Sequence, residues 1–202
     1  MQKQSFLSLL LLIGVSLLAA YQAFTDASAQ VAVVRFLALS AFFLLCVALV
    51  IGPLAVLRPQ AFAPIIESRR SVGLAAFFLG ALHAILAMAL YFNWDFGLVV
   101  STFPLAIALP ALVILIALAL TSCDFAVQKM GMAKWKMLQY FAYPAFLLLL
   151  VHFVQANWLF GKQGAGLNPA EISLVLFAAV AIILQVAGFY VRTKRKAASS
   201  PS

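Results

Sequence analysis

The stretch VGLAAFFLGALHAILAMALYF, residues 72–92, runs for 21 residues without Asp, Glu, Lys or Arg. A helix crossing a bilayer core needs about 20 apolar residues, so this run reads as a transmembrane span. Its single histidine is His83. Five further runs of the same kind lie around it, at 5–24, 36–57, 98–120, 137–158 and 172–191. They predict an all-α, polytopic membrane protein built as a six-helix transmembrane bundle. Composition agrees: 66% of the 202 residues are hydrophobic and 9% charged, against about 45–50% and 25% in a soluble domain. Two cysteines exclude a disulfide framework, and the apolar content excludes disorder.

The net charge of +8 would suggest nucleic acid on a soluble protein, but here it sorts by connection. Lys3, Arg58, Arg69, Arg70, Lys129, Lys134, Lys136, Arg192, Lys194, Arg195 and Lys196 fall on one side, and Arg35 and Lys162 on the other. This 11-to-2 split places both termini in the cytoplasm. Lys3, the first apolar run and Ala27-Ser28-Ala29 imitate a secretory signal. The run is slightly long and the A-x-A lies well past its end, so we read a retained span. Gly161, Gly164 and Gly166 break the chain after the fifth span. Asn168, Pro169 and Glu171 then read as a capping box opening the sixth. Trp94, Trp135 and Trp158 fall at span ends, where aromatic belts belong. Pro104, Pro110 and Pro144 interrupt helices, as kinks shaping a cavity or as packing. With no internal repeat, residues 1–202 form one transmembrane domain ending in a short basic tail, 192–202.

The two histidines of the chain, His83 and His152, both lie inside spans, where ionisable groups are costly and mark functional sites by default. At 1.5 Å per residue they stand roughly 17 and 22 Å into the third and fifth spans, on helices running the same way. Two imidazoles at similar depth can ligate one metal. Zinc wants four ligands, and no Cys, Asp or Glu lies at that depth on these helices. A haem iron needs two axial ligands only. Ala76, Gly80 and Ala87 on the face of His83 leave room for a flat group, or serve close helix packing. On the face of His152 lie Ala145, Leu148, Leu149, Gln155 and Ala156, with Gln155 either a hydrogen-bond partner of the imidazole or an interhelical contact. Cys46 and Cys123 read as structural.

Ser68-Arg69-Arg70-Ser71-Val72-Gly73-Leu74-Ala75-Ala76-Phe77-Phe78, followed by Leu82-His83, resembles the R-R-x-x-G-L-x-x-F…L-H segment of ferric reductase-like transmembrane domains. The nearest variant is the haem-binding membrane subunit of the periplasmic methionine sulfoxide reductase system, the MsrQ/YedZ type. Thr121-Ser122, Gly131, Trp135-Lys136-Met137-Leu138-Gln139, Tyr143 and His152 continue the pattern, so the resemblance covers about 36–191. It implies b-type haem on His83 and His152 as axial ligands. The chain departs from that pattern at Gln139, where the type usually has a further histidine, and Arg69 and Arg70 stand where two-haem ferric reductases place an inner one. Arg70 and Gln139 thus read as inner-site remnants, and one haem is expected.

The 11-residue tail is too short for a flavin or nicotinamide domain, so electrons would come from membrane quinol or a cytosolic flavin reductase. By resemblance the acceptor is a periplasmic oxidoreductase. FMN is a second candidate cofactor: Arg69, Arg70, Lys134 and Lys136 line the cytoplasmic rim, where they either meet a flavin phosphate or set topology against anionic lipid. Asn93, Asn157 and Lys162 near the outer ends are candidates for haem propionates. The alternative is a haem-free accessory subunit or small transporter. A proton-coupled transporter would want an intramembrane carboxylate, which the spans lack.

Overall fold

A computed structural model describes Leu11, Gly14, Val15, residues 28–160 and residues 167–198, without the side chains of 157–160 and 196. Most of the span expected at 5–24, with Lys3, Ala27, Gly161, Lys162, Gly164, Gly166 and the side chains of Asn157, Trp158 and Lys196, lies outside them. The described helices, in chain order, are α1 (Ala29–Leu57), α2 (Pro59–Phe62), α3 (Ser68–Leu90), α4 (Phe96–Ser101), α5 (Phe103–Leu120), α6 (Asp124–Met130), α7 (Met132–Gln139), α8 (Ala142–Phe160) and α9 (Pro169–Ala198). A 3₁₀ turn, Ala63–Ile65, follows α2. No strand occurs among the described residues.

Five segments are long and apolar enough to cross a membrane: Ala29–Leu57, Ser68–Leu90, Phe103–Leu120, Met132–Ala156 and Pro169–Arg195. They coincide with the second to sixth expected spans. The chain is a multi-pass membrane protein.

Local chemistry explains where these helices start and break. Ser28, read above as part of a signal-like motif, is the N-cap of α1, its hydroxyl accepting from Val31 N at 3.3 Å. The span expected at 98–120 is divided at Thr102, which is extended (φ −94°, ψ 109°). Pro104 then sits in the first turn of α5, where a missing N–H costs nothing, so it starts a helix rather than kinking one. Pro144 likewise falls in the first turn of α8, and Pro110 lies inside α5. Between α6 and α7, Gly131 adopts φ +78°, ψ 149°, a conformation open essentially to glycine alone.

The capping box of α9 forms as read: Glu171 N donates to Asn168 Oδ1 at 2.9 Å, and Asn168 N donates to Glu171 Oε2 at 2.8 Å. Replacing Asn168 with Ala removes one acceptor from four orphan N–H groups, and a loss of about 1 kcal/mol is expected in detergent unfolding. An unchanged midpoint would mean that water caps this end equally well.

Helix α1 is the centre of the bundle. It packs along α3 and α9, while α5 packs along α8 and only brushes α3. The link from α1 to α8 is aromatic: Phe42 lies nearly parallel to both Phe146 and Phe153, with centroids 5.7 and 4.9 Å away. Helices α1, α3, α5 and α8 therefore form a four-cornered ring. The two histidine-bearing helices, α3 and α8, stand on one diagonal and do not pack closely on each other.

Candidate haem site

His83 and His152 are each partly buried, facing inward from the diagonal pair α3 and α8. Their Nδ1 atoms reach across to backbone carbonyls on the other diagonal. His83 Nδ1 lies 3.0 Å from Val34 O on α1, and His152 Nδ1 lies 2.6 Å from Pro104 O on α5. A carbonyl can only accept, so each Nδ1 must carry the proton. That tautomer leaves the lone pair on Nε2, the arrangement a metal-ligating imidazole needs. Neither Nε2 has a hydrogen-bond partner among the described residues.

The donor set fits a haem better than a bare ion. Among the described residues no group of three or more His, Cys, Asp or Glu side chains could hold a metal. Two imidazoles alone leave a zinc or iron ion under-coordinated, whereas a porphyrin supplies four nitrogens of its own. Two of the small residues on the His83 face of α3 pack toward neighbouring helices. Ala76 is buried in the core shared with α1, and a Cβ on Gly80 would meet Ala41 of α1 at 3.7 Å. These two residues set the approach of α3 to α1. Gln155, read either as a partner of His152 or as an interhelical contact, makes no hydrogen bond among the described residues, and Pro104 O takes the Nδ1 proton of His152. Asn93 is exposed in the turn after α3, at φ +44°.

At the end of the bundle that carries most basic residues, the motif residues join into one junction. Arg70 Nε donates to Ser122 O at 2.5 Å and its Nη1 pairs with Asp124 at 2.6 Å, tying α3 to the start of α6. Trp135 Nε1 donates to Thr121 O at 3.1 Å. Arg70 is thus occupied as a fastener. Arg69 instead turns to α1, its Nη1 3.2 Å from where a Gly52 Cβ would stand. Lys134 and Lys136 are exposed on α7. Gln139, at the end of α7, has a buried Nε2 without a partner. Cys46 is buried and Cys123 exposed, both free.

Sequence reading missed Gln185, the one amide in the last span. Its Nε2 donates to Leu49 O at 2.5 Å, and its Oε1 accepts from Tyr143 OH at 3.1 Å. The cause is Pro53, which lies inside α1 four residues after Leu49 and has no N–H to satisfy that carbonyl. A polar residue in a span together with a proline four after a carbonyl was the available signal. The carbonyls of Val34 and Pro104 had none, because every residue carries one.

No protein-family model matches the chain, and no solved structure matches it. Curated relatives do. A protein of Herminiimonas arsenicoxydans is 30% identical over 159 residues, covering 76% of this chain and 68% of the relative. One of Bordetella parapertussis is 32% identical over 148 residues, 69% of this chain and 65% of the relative. One of Rhodospirillum rubrum is 32% identical over 93 residues, 44% of this chain and 45% of the relative. The chain thus spans about two thirds of the first relative's length and less of the other two. All three bear the name protein-methionine-sulfoxide reductase heme-binding subunit MsrQ. Identity at this level over most of the chain, on a polytopic helical fold, means that the chain belongs to the MsrQ family.

Proposed function

We propose that the chain is a haem b-containing membrane electron-transfer subunit, with His83 and His152 as the two axial ligands of one haem. It passes electrons from lipid-dissolved quinol, or from a cytosolic flavin-reductase partner, across the bacterial inner membrane to a periplasmic oxidoreductase. The observation that carries this reading is the matched pair of imidazoles, each with Nδ1 committed to a backbone carbonyl and Nε2 unpartnered. The names of the relatives support both the cofactor and an acceptor of the methionine sulfoxide reductase kind.

Bound haem supplies one-electron chemistry at iron. The chain's part is to hold the two rings and keep their protonation fixed. Val34 O and Pro104 O set the tautomers, and helix backbones at opposite corners set the separation. Held by both His83 and His152, a haem would supply electron transfer in preference to oxygen chemistry. A second haem at the basic end finds no histidine: Arg70 is held by Asp124 and Ser122, and Gln139 is a poor iron ligand. An FMN phosphate there would rely on Arg69, Lys134 and Lys136. The basic end faces the cytoplasm in this reading, by the 11-to-2 distribution of cationic residues.

Dithionite-reduced minus oxidised spectra of the purified protein test this directly. A b-type haem signal is expected, and a colourless preparation from haem-replete cells would contradict it.

A further inference from the structure

The basic-end half of the bundle holds buried polar side chains inside apolar spans that the haem reading does not use. Gln185 on α9 bridges Leu49 O on α1 and Tyr143 OH on α8. Four residues before Tyr143, at the end of α7, stands Gln139, whose buried Nε2 has no hydrogen-bond partner among the described residues. A buried donor without an acceptor is costly in hydrocarbon and asks for a ligand or water to complete it. Helices α8 and α9 share few close backbone approaches, and the Tyr143–Gln185 hydrogen bond joins them. Tyr143 is nine residues before His152, roughly 14 Å along the helix.

The groups on offer select the ligand. Gln139 Nε2 can only donate, while the Tyr143 oxygen, having given its proton to Gln185, keeps lone pairs that accept. A head group carrying both an acceptor oxygen and a hydroxyl donor satisfies both. None of these three side chains is charged, so they match a neutral head group. An anionic one would be drawn instead to Arg69, which lies against Gly52, one turn from Leu49 on the basic-end side. We propose that Gln139, Tyr143 and Gln185 form the docking site for the head group of a lipid-dissolved quinone or quinol. Gln139 Nε2–H donates to one ring oxygen, and Tyr143 accepts from a quinol hydroxyl. This rests on the quinol branch of the proposed function and adds its location.

Photoaffinity labelling with an azido-quinone tests the site on the full-length purified protein. Label is expected on peptides from residues 132–156 or 169–195, and excess unlabelled quinone should displace it. Gln139→Leu should weaken the displaceable labelling about tenfold, the worth of one hydrogen bond near 1.4 kcal/mol. Because Nε2 has no protein partner to lose, that variant should keep its thermal stability and its haem spectrum. Labelling that is not displaced, that falls elsewhere, or that survives Gln139→Leu unchanged would overturn the proposal. Displacement by phospholipid as effective as by quinone would also overturn it, marking a lipid site. Haem absorbance read on the same samples separates the two claims. Haem without displaceable label sinks only the quinone site, and displaceable label without haem sinks only the haem reading.

Discussion

His83→Ala and His152→Ala are each expected to lower the b-type haem signal by roughly tenfold or more, since loss of an iron ligand should exceed the 10–100-fold effects seen for partners outside the coordination sphere. The fold should survive both changes. Each imidazole gives the protein one hydrogen bond to a helix carbonyl, and interhelical hydrogen bonds inside membranes average only about 0.6 kcal/mol. The measurement is the reduced-minus-oxidised spectrum per mole of monodisperse protein. The control is Gln155→Ala, one turn from His152 and outside the hydrogen-bonded set. It should leave the signal near wild type. Full haem retention in either histidine variant would remove that residue from the ligand pair.

The second large effect is expected at Gln185. Gln185→Leu leaves Leu49 O and Tyr143 OH without their partners in the apolar interior. The carbonyl has no N–H four residues ahead because Pro53 occupies that position. A loss of about 1–3 kcal/mol follows, above the average for membrane hydrogen bonds because no other donor stands in. The cause can be isolated. Pro53→Ala restores an N–H within the helix, so Gln185→Leu should cost much less in the Pro53→Ala background. Reversible unfolding in mixed micelles gives the four corners of this cycle. Additive effects would mean that Gln185 acts through packing, for instance beside Gly188, whose Cα approaches Pro53 so closely that a Cβ would lie 3.2 Å from the Pro53 backbone.

The spans and the cap of α9 were legible because they are properties of contiguous sequence. An uncharged run of bilayer length has one stable outcome, and Asn168 and Glu171 lie close enough to satisfy each other. That both histidines fall inside long apolar helices was legible for the same reason. What faces them was not. The small residues of α3 read as room for a flat group or as close helix packing, and Gly80 lies on the α1 side. Periodicity says which residues share a face but not which neighbour that face meets. Arg70 read as an inner-site remnant on a rim that either meets a flavin phosphate or sets topology, and its pairing with Asp124 and Ser122 depends on a junction between segments about fifty residues apart. Thr102 divided the expected fourth span because Pro104 favours a new helix start, a local signal that the hydropathy of 98–120 outweighed.

The central claim is that one haem is held between His83 and His152. A pyridine haemochrome assay on the purified, haem-replete chain, paired with electron paramagnetic resonance of the oxidised form, tests it most directly. The account predicts one haem b per chain, low-spin, with two imidazole nitrogens as axial ligands. Two haems per chain, or a high-spin iron with an open axial position, would contradict it.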